Sequence, residues 1–213
     1  VQRPKESGDI RDNWKEEMTY KHLFGPVPSR RLGVSLGIDL VPYKTCSLDC
    51  IYCECGKTTN LTIERKEYVP TEEILSELDR CLRDGPELDY VTFSGSGEPT
   101  LHTGLREIIE FLKNRYPQYK IAVLTNGTLL KERKTRGEIL DADLIIPSLD
   151  AASEDSFKKV NRPQEELSLE NIINGLADLR KEFSGEIWLE VFIVPGLNDD
   201  EEELKLRKEA TDG

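Results

Sequence analysis

The sequence predicts an α/β fold, a parallel sheet covered by helices, on three observations. Short, nearly continuous apolar runs alternate with helical patterns, which is how strands buried on both faces read. Polar and glycine-containing motifs cluster where those runs end, the edge at which open α/β sheets and barrels build their sites. A chain of 213 residues with 37% hydrophobic side chains suits one large domain, able to bury about 70% of its unfolded surface without disulfides or a structural metal.

The first strand is Val34-Ser35-Leu36-Gly37-Ile38-Asp39-Leu40, running into a cysteine-rich loop. Thr71 then caps a helix whose apolar positions Ile74, Leu75, Leu78, Cys81 and Leu82 share one face. Tyr90-Val91-Thr92-Phe93 is the second strand and ends in Ser94-Gly95-Ser96-Gly97-Glu98-Pro99-Thr100. A helix carrying Leu105, Ile108, Ile109 and Leu112 leads to the third strand, Lys120-Ile121-Ala122-Val123-Leu124, which ends in Thr125-Asn126-Gly127. A helix around 129–140 precedes strand four, Asp143-Leu144-Ile145-Ile146-Pro147, followed by Ser148-Leu149-Asp150. A short helix near 153–160 and a longer one from Ser168 to Phe183 come next. Strand five is Ile187 to Val194, ending in Pro195-Gly196-Leu197-Asn198, and the chain closes on an acidic helix start. A barrel-like sheet wants at least one more strand, so residues 24–213 read as a C-terminally incomplete core. Residues 1–23, polar and anchored only by Trp14 and Met18, read as an N-terminal extension.

Twenty-nine basic residues against 41 acidic ones give a net charge of −12, which argues against broad non-specific nucleic-acid binding. The imbalance is uneven: residues 1–66 sum to +2 and residues 67–213 to −14, leaving room for a local basic patch around Arg30 and Arg31. No run of about 18 apolar residues exists to span a membrane. The N-terminus lacks the apolar core of a secretory signal, so the expected location is cytoplasmic.

The five cysteines carry the most information. Cys46, Cys50, Cys53 and Cys55 lie within ten residues, and Cys81 stands apart on an apolar helix face, where it reads as core. In a cytoplasmic chain such a cluster means metal or redox chemistry rather than a disulfide framework. Cys46-x3-Cys50-x2-Cys53 offers three thiolates on one loop, enough for three irons of a 4Fe–4S cluster with the fourth iron left open. The alternative is a zinc-binding structural or interaction module; it wants four ligands, commonly two separated pairs, and no second C-x2-C exists. His102, after the Gly-Glu-Pro turn, reads either as a cavity residue or as part of a helix start.

The cysteine spacing with Tyr52 before the last cysteine, the Gly97-Glu98-Pro99 turn, Thr125-Asn126-Gly127 and Ser148-Leu149-Asp150 together resemble the radical S-adenosylmethionine (SAM) superfamily over about residues 24–200. Phe24 to Gly33 and Ser148 to Ala151 further resemble iron–sulfur oxidoreductases grouped with wyosine-tRNA synthetases. Around the third cysteine, however, this chain reads Cys53-Glu54-Cys55-Gly56, unlike wyosine synthases. The resemblance implies a partial (β/α)6 TIM-like barrel lacking its last strand, with one 4Fe–4S cluster on Cys46, Cys50 and Cys53. The open iron would bind SAM, and one electron would cleave it to methionine and a 5′-deoxyadenosyl radical acting on an unidentified substrate. It further implies that Gly97 and Glu98 meet the methionine end of SAM, that Tyr52 lies near adenine, and that Asn126, Ser148 and Asp150 reach ribose and methionine. Arg162 is a candidate for a SAM or substrate carboxylate; the other reading is a surface ion pair. A fourth cluster ligand at Cys55 would close the open iron, so Cys55 reads as a bystander or a thiol touching substrate. A ferredoxin or flavodoxin is the implied electron donor. A tRNA substrate fits the subgroup and fits poorly with the net charge.

Overall fold

A computed structural model describes residues 20–211; Trp14 and Met18 lie outside them. Strand β1 (Leu23–Ser29) pairs antiparallel with β2 (Gly33–Ile38). From β2 a parallel sheet runs through β5 (Tyr90–Phe93), β6 (Lys120–Thr125) and β7 (Leu144–Pro147) to β8 (Glu186–Ile187). Between β2 and β5 lies a small parallel pair, β3 (Thr45–Cys46) and β4 (Asn60–Leu61). The sheet does not close on itself: β1 and β8 are its edges, so the barrel is partial.

Helices α1 (Thr71–Leu82), α2 (Leu105–Arg115), α3 (Arg133–Ile139) and α5 (Leu169–Glu182) contribute to the main core. Strand alternation sends Leu36, Ile38, Val91, Phe93, Ile121, Val123 and Ile145 into that core. The opposite face is mixed: small or polar residues at Ser35, whose hydroxyl meets that of Thr92 at 2.5 Å, Gly37 and Ala122, and apolar Leu144 and Ile146 on β7. Phe24 lies over Gly37, where any side chain would overlap its ring. The strands are therefore not uniformly apolar on both faces, and the contrast between faces is that of a barrel wall with an inner side.

Several elements depart from the sequence reading. Thr71 is the first helical residue rather than the cap; Pro70 precedes it, and the Glu67 carboxylate accepts from the Thr71 N–H at 2.8 Å. Helix α3 begins at Arg133 because residues 127–132 form turns instead. The buried Arg136 guanidinium holds their carbonyls, donating to Leu130 and Lys131 at 2.8 Å each. Strand β8 is shorter than expected. Its ladder continues irregularly through Trp188 and Glu190, whose N–H groups donate to Ile145 and Pro147, and then leaves the sheet. The short helix α4 (Glu154–Ser156) runs into a π turn (Phe157–Asn161), and α6 (Glu201–Thr211) ends the described chain. Among the described residues no helix is long and apolar enough to cross a membrane.

Candidate active site at the strand ends

The loop that holds Cys46, Cys50 and Cys53 is pinned at both ends. The β3–β4 pair closes its base, and the Thr62 N–H donates to the Cys46 carbonyl at 2.9 Å. Its flank is stapled to the end of the π turn and the residues that follow it. Ile51 N–H donates to the Val160 carbonyl at 2.9 Å, Asp49 N–H to the Asn161 carbonyl at 3.0 Å, and Gln164 N–H to the Ser47 carbonyl at 3.0 Å. Beyond the cysteines, the Thr58 hydroxyl donates to the Leu48 carbonyl at 2.7 Å and its N–H to the Asp49 carboxylate at 2.6 Å.

Each of the three sulfurs meets an N–H donor. Asn126 Nδ2, at the end of β6, lies 3.4 Å from Cys46 Sγ; Asn161 Nδ2 lies 3.4 Å from Cys50 Sγ; Lys44 Nζ lies 3.0 Å from Cys53 Sγ. Burial pushes the Cys46 thiol up to about 12, with the Glu98 charge adding to it. Burial likewise raises Cys50 to about 11, against the opposing hydrogen bond from Asn161. For Lys44, burial works against the charged form, but the hydrogen bond and charge of Cys53 outweigh it and hold the ammonium above its usual pKa.

Glu98 is buried, and its carboxylate knits the end of β5 to the end of β6. Oε1 accepts from Thr100 N–H at 3.0 Å and from the hydroxyls of Thr100 and Thr125 at 2.6 Å each; Oε2 accepts from Asn126 N–H at 2.7 Å. Burial raises its pKa and these donors pull it back, leaving a net upward shift. Gly97 packs against the Thr45 carbonyl and Val41 so closely that a Cβ would overlap both.

Asp150 is a second hub. Its Oδ2 accepts from Tyr52 Oη and, at 2.7 Å, from Asn161 Nδ2, while Oδ1 accepts from Phe192 N–H at 2.8 Å. That last bond draws the segment after β8 onto the site. The Tyr52 and Phe192 rings stack in parallel, centroids 4.1 Å apart. Burial raises the Tyr52 pKa, with the charges of Cys50 and Asp150 adding. The Asp150 carbonyl accepts from Asn198 and from Arg207 of α6 at 2.8 and 2.7 Å.

Cys50, Tyr52, Asn126, Ser148 and Asp150 thus line one cavity of about 40 Å³, joined by Asn161. Cys46, Gly97 and Glu98 adjoin it through Asn126 and Thr45. Arg162 does not line this cavity: its side chain is exposed on left-handed backbone at φ 46°, although its carbonyl accepts from the Asp49 N–H at 3.2 Å. Cys55 faces a different cavity, about 550 Å³, with Asp39, Ser94, Gly95 and Ser96. Cys81 is buried in the core as expected. His102 takes the helix-start role: its Nδ1 accepts from Gly104 N–H at 3.0 Å ahead of α2, and Nε2 lies 2.8 Å from the Val69 carbonyl. Arg31 is paired with Glu190. The sequence reading missed Lys44, Asn161 and Phe192. Of these, Asn161 had a visible signal, since it adjoins the candidate Arg162 in the sequence.

A model of the radical SAM superfamily matches residues 40–206. A Brachyspira hyodysenteriae protein named GTPase Obg is 44% identical over 190 residues, covering 89% of this chain and 28% of that protein. A UPF0026 protein of Methanocaldococcus jannaschii is 38% identical over 183 residues, 85% of this chain and 56% of its own length. The chain therefore spans little more than half, or less, of these relatives. Among solved structures, archaeal TYW1 shares the fold with a TM-score of 0.54 at 23% identity, over 83% of this chain and 61% of that one.

Proposed function

Since this chain belongs to the radical SAM superfamily, we propose that it binds one 4Fe–4S cluster through Cys46, Cys50 and Cys53 and uses it to cleave SAM reductively. When bound, the cluster and SAM together supply a one-electron cleavage of the sulfonium C–S bond, giving methionine and a 5′-deoxyadenosyl radical that takes hydrogen from a substrate. The observation that carries the reading is the loop itself: three thiols, each already met by an N–H from outside its own turn. Hydrogen bonds of this kind orient and stabilise sulfur ligands.

The chain's own groups suit the remaining tasks. Gly97 supports backbone approach at the methionine end, and Oε2 of Glu98, with one donor against three on Oε1, keeps capacity for an ammonium. Tyr52, Asn126, Ser148 and Asp150 form the floor of a nucleoside site rather than its enclosure, because their 40 Å³ cavity is far below the roughly 300 Å³ at which ordinary ligand pockets begin. The reductant is a low-potential one-electron donor of the ferredoxin or flavodoxin kind. A tRNA substrate is disfavoured by the net charge of −12 and by the pairing of Arg31, in the expected basic patch, with Glu190.

Anaerobic reconstitution with iron and sulfide, then dithionite and SAM, with chromatography for 5′-deoxyadenosine, tests it. Product that is lost in Cys50→Ala supports the proposal. Stoichiometric zinc without acid-labile sulfide would replace it with the zinc-module reading.

A further inference from the structure

Lys44 precedes the strand that carries Cys46 and is 2% exposed, a rare environment for a lysine. Its backbone is left-handed, φ 56°, a conformation that residues other than glycine seldom adopt and that concentrates at functional sites. Among the described residues only Lys44 and Arg162 share it outside glycine, and both flank the cysteine loop. The strained unit is held from two sides. Its N–H donates to the Ser96 carbonyl at 3.2 Å, and its carbonyl accepts from the Thr59 and Asn60 N–H groups at 3.1 Å each. This arrangement aims the side chain at a sulfur rather than a carboxylate, with Nζ 3.0 Å from Cys53 Sγ. The other two sulfurs receive neutral amide donors, from Asn126 and Asn161.

Resting on the radical SAM reading, we propose that Lys44 is a positioning residue that sets the reduction potential of the cluster through the sulfur of Cys53. An added electron makes a cluster more negative. A fixed cation at one ligand sulfur stabilises that reduced state more than a neutral amide does, so it raises the potential. Asn126 and Asn161 fix sulfur geometry, and Lys44 adds charge. Because the backbone around Lys44 is tied to β4 and to the β5 loop, the ammonium is delivered to Cys53 without relying on a flexible surface arm.

The test is a potentiometric titration of the reconstituted cluster, followed by electron paramagnetic resonance. Lys44→Met is expected to shift the reduction equilibrium about tenfold toward the oxidised form, about 59 mV for a one-electron couple. Lys44→Arg, which keeps the charge, and Lys57→Met, which removes an exposed charge from the same loop, should each stay within about threefold of native. Lys44→Met with native iron and sulfide content and an unchanged potential overturns the proposal, as does an equal shift in Lys57→Met. If Lys44→Met holds no cluster, Lys44→Gln decides against Lys44→Arg: a lowered potential in Gln alone supports the proposal, and equal potentials overturn it. Loss of the cluster in all three Lys44 variants, Arg included, also overturns it in favour of a purely structural role. Failure of the native protein to bind sulfide-bridged iron would instead sink the reading on which it rests.

Discussion

Asp150 ties three distant segments, and removing its charge should cost stability before it costs anything else. The carboxylate accepts from Tyr52 in the cysteine loop, from Asn161 at the end of the π turn and from the backbone of Phe192 beyond β8. Asp150→Asn preserves volume, but its amide NH₂ must face one side of this ring of donors. Turned toward Tyr52 and Asn161, it lets the phenol rotate to accept, while the Asn161 amide is left donor against donor. Hydrogen bonds to charged acceptors contribute about 1.5–3 kcal/mol each. Losing one and weakening another comes to about 3 kcal/mol. With a urea slope of about 2 kcal/mol/M for a domain of this size, the unfolding midpoint of the cluster-free protein should fall by about 1.5 M. Asp150→Ala should cost more, about 5 kcal/mol, since buried donors lose every partner. Tyr52→Phe combined with Asp150→Asn should show a coupling of about 1 kcal/mol. A midpoint shift under about 0.3 M, or additivity within about 0.3 kcal/mol, would refute the argument. Asp150 would then be a solvated carboxylate waiting for ligand hydroxyls.

Three other outcomes follow from the site. Burial raises Cys46 to about 12 and Cys50 to about 11 from an ordinary 9.0. A raised folded pKa means stability fully present below the unfolded value and lost as pH climbs through the folded one. The cluster-free protein should therefore hold a steady urea midpoint below pH 9 and lose stability between about pH 9 and 12, and the loss should shrink in the Cys46→Ala, Cys50→Ala double variant. Gly97→Ala forces a methyl into the Thr45 carbonyl, which displaces the strand carrying Cys46; iron and sulfide per chain after reconstitution should fall severalfold, and native content would show that the turn can relax. Glu98→Gln places an amide NH₂ among the donors from Thr100, Thr125 and Asn126, costing about 2–4 kcal/mol in urea unfolding at pH 7; a neutral effect would mean that the native carboxyl is protonated there.

The sheet was legible because burial on the helix side leaves apolar runs at Val91–Phe93, Ile121–Val123 and Leu144–Ile146 that no surface segment would carry. Strand β1 was not. Its Gly25, Pro26 and Pro28 are poor strand residues, and such a sequence pairs at a sheet edge, where one side needs no ladder bonds. The expected strand from Ile187 to Val194 looked long because seven of its eight residues are apolar, yet β7 ends at Pro147, and a strand pairs only as far as its neighbour runs. The cysteines, the Gly-Glu-Pro turn and the residues after β6 and β7 stood out because each sits where a strand stops. Lys44 did not, since a lysine beside a strand reads as surface until the fold buries it.

The donor set has a consequence for how the site comes to exist. The sulfurs belong to one loop of eight residues, Cys46 to Cys53, but their donors come from elsewhere: Asn126 beyond β6 and Asn161 beyond α4, with Lys44 braced against the β5 loop. Asn161 in turn is oriented by Asp150, which is held by Tyr52 and by the chain leaving β8. A local peptide could present three thiols but not three positioned N–H donors. Sulfur positioning is therefore a property of the assembled sheet, and a change anywhere along the Asp150–Asn161–Cys50 line should be felt at the cysteine loop. The same coupling explains why the polar residues gather at the strand ends. There the backbone leaves the ladder, side chains can converge from neighbouring strands, and one carboxylate such as Glu98 can lock two of them without breaking the core beneath.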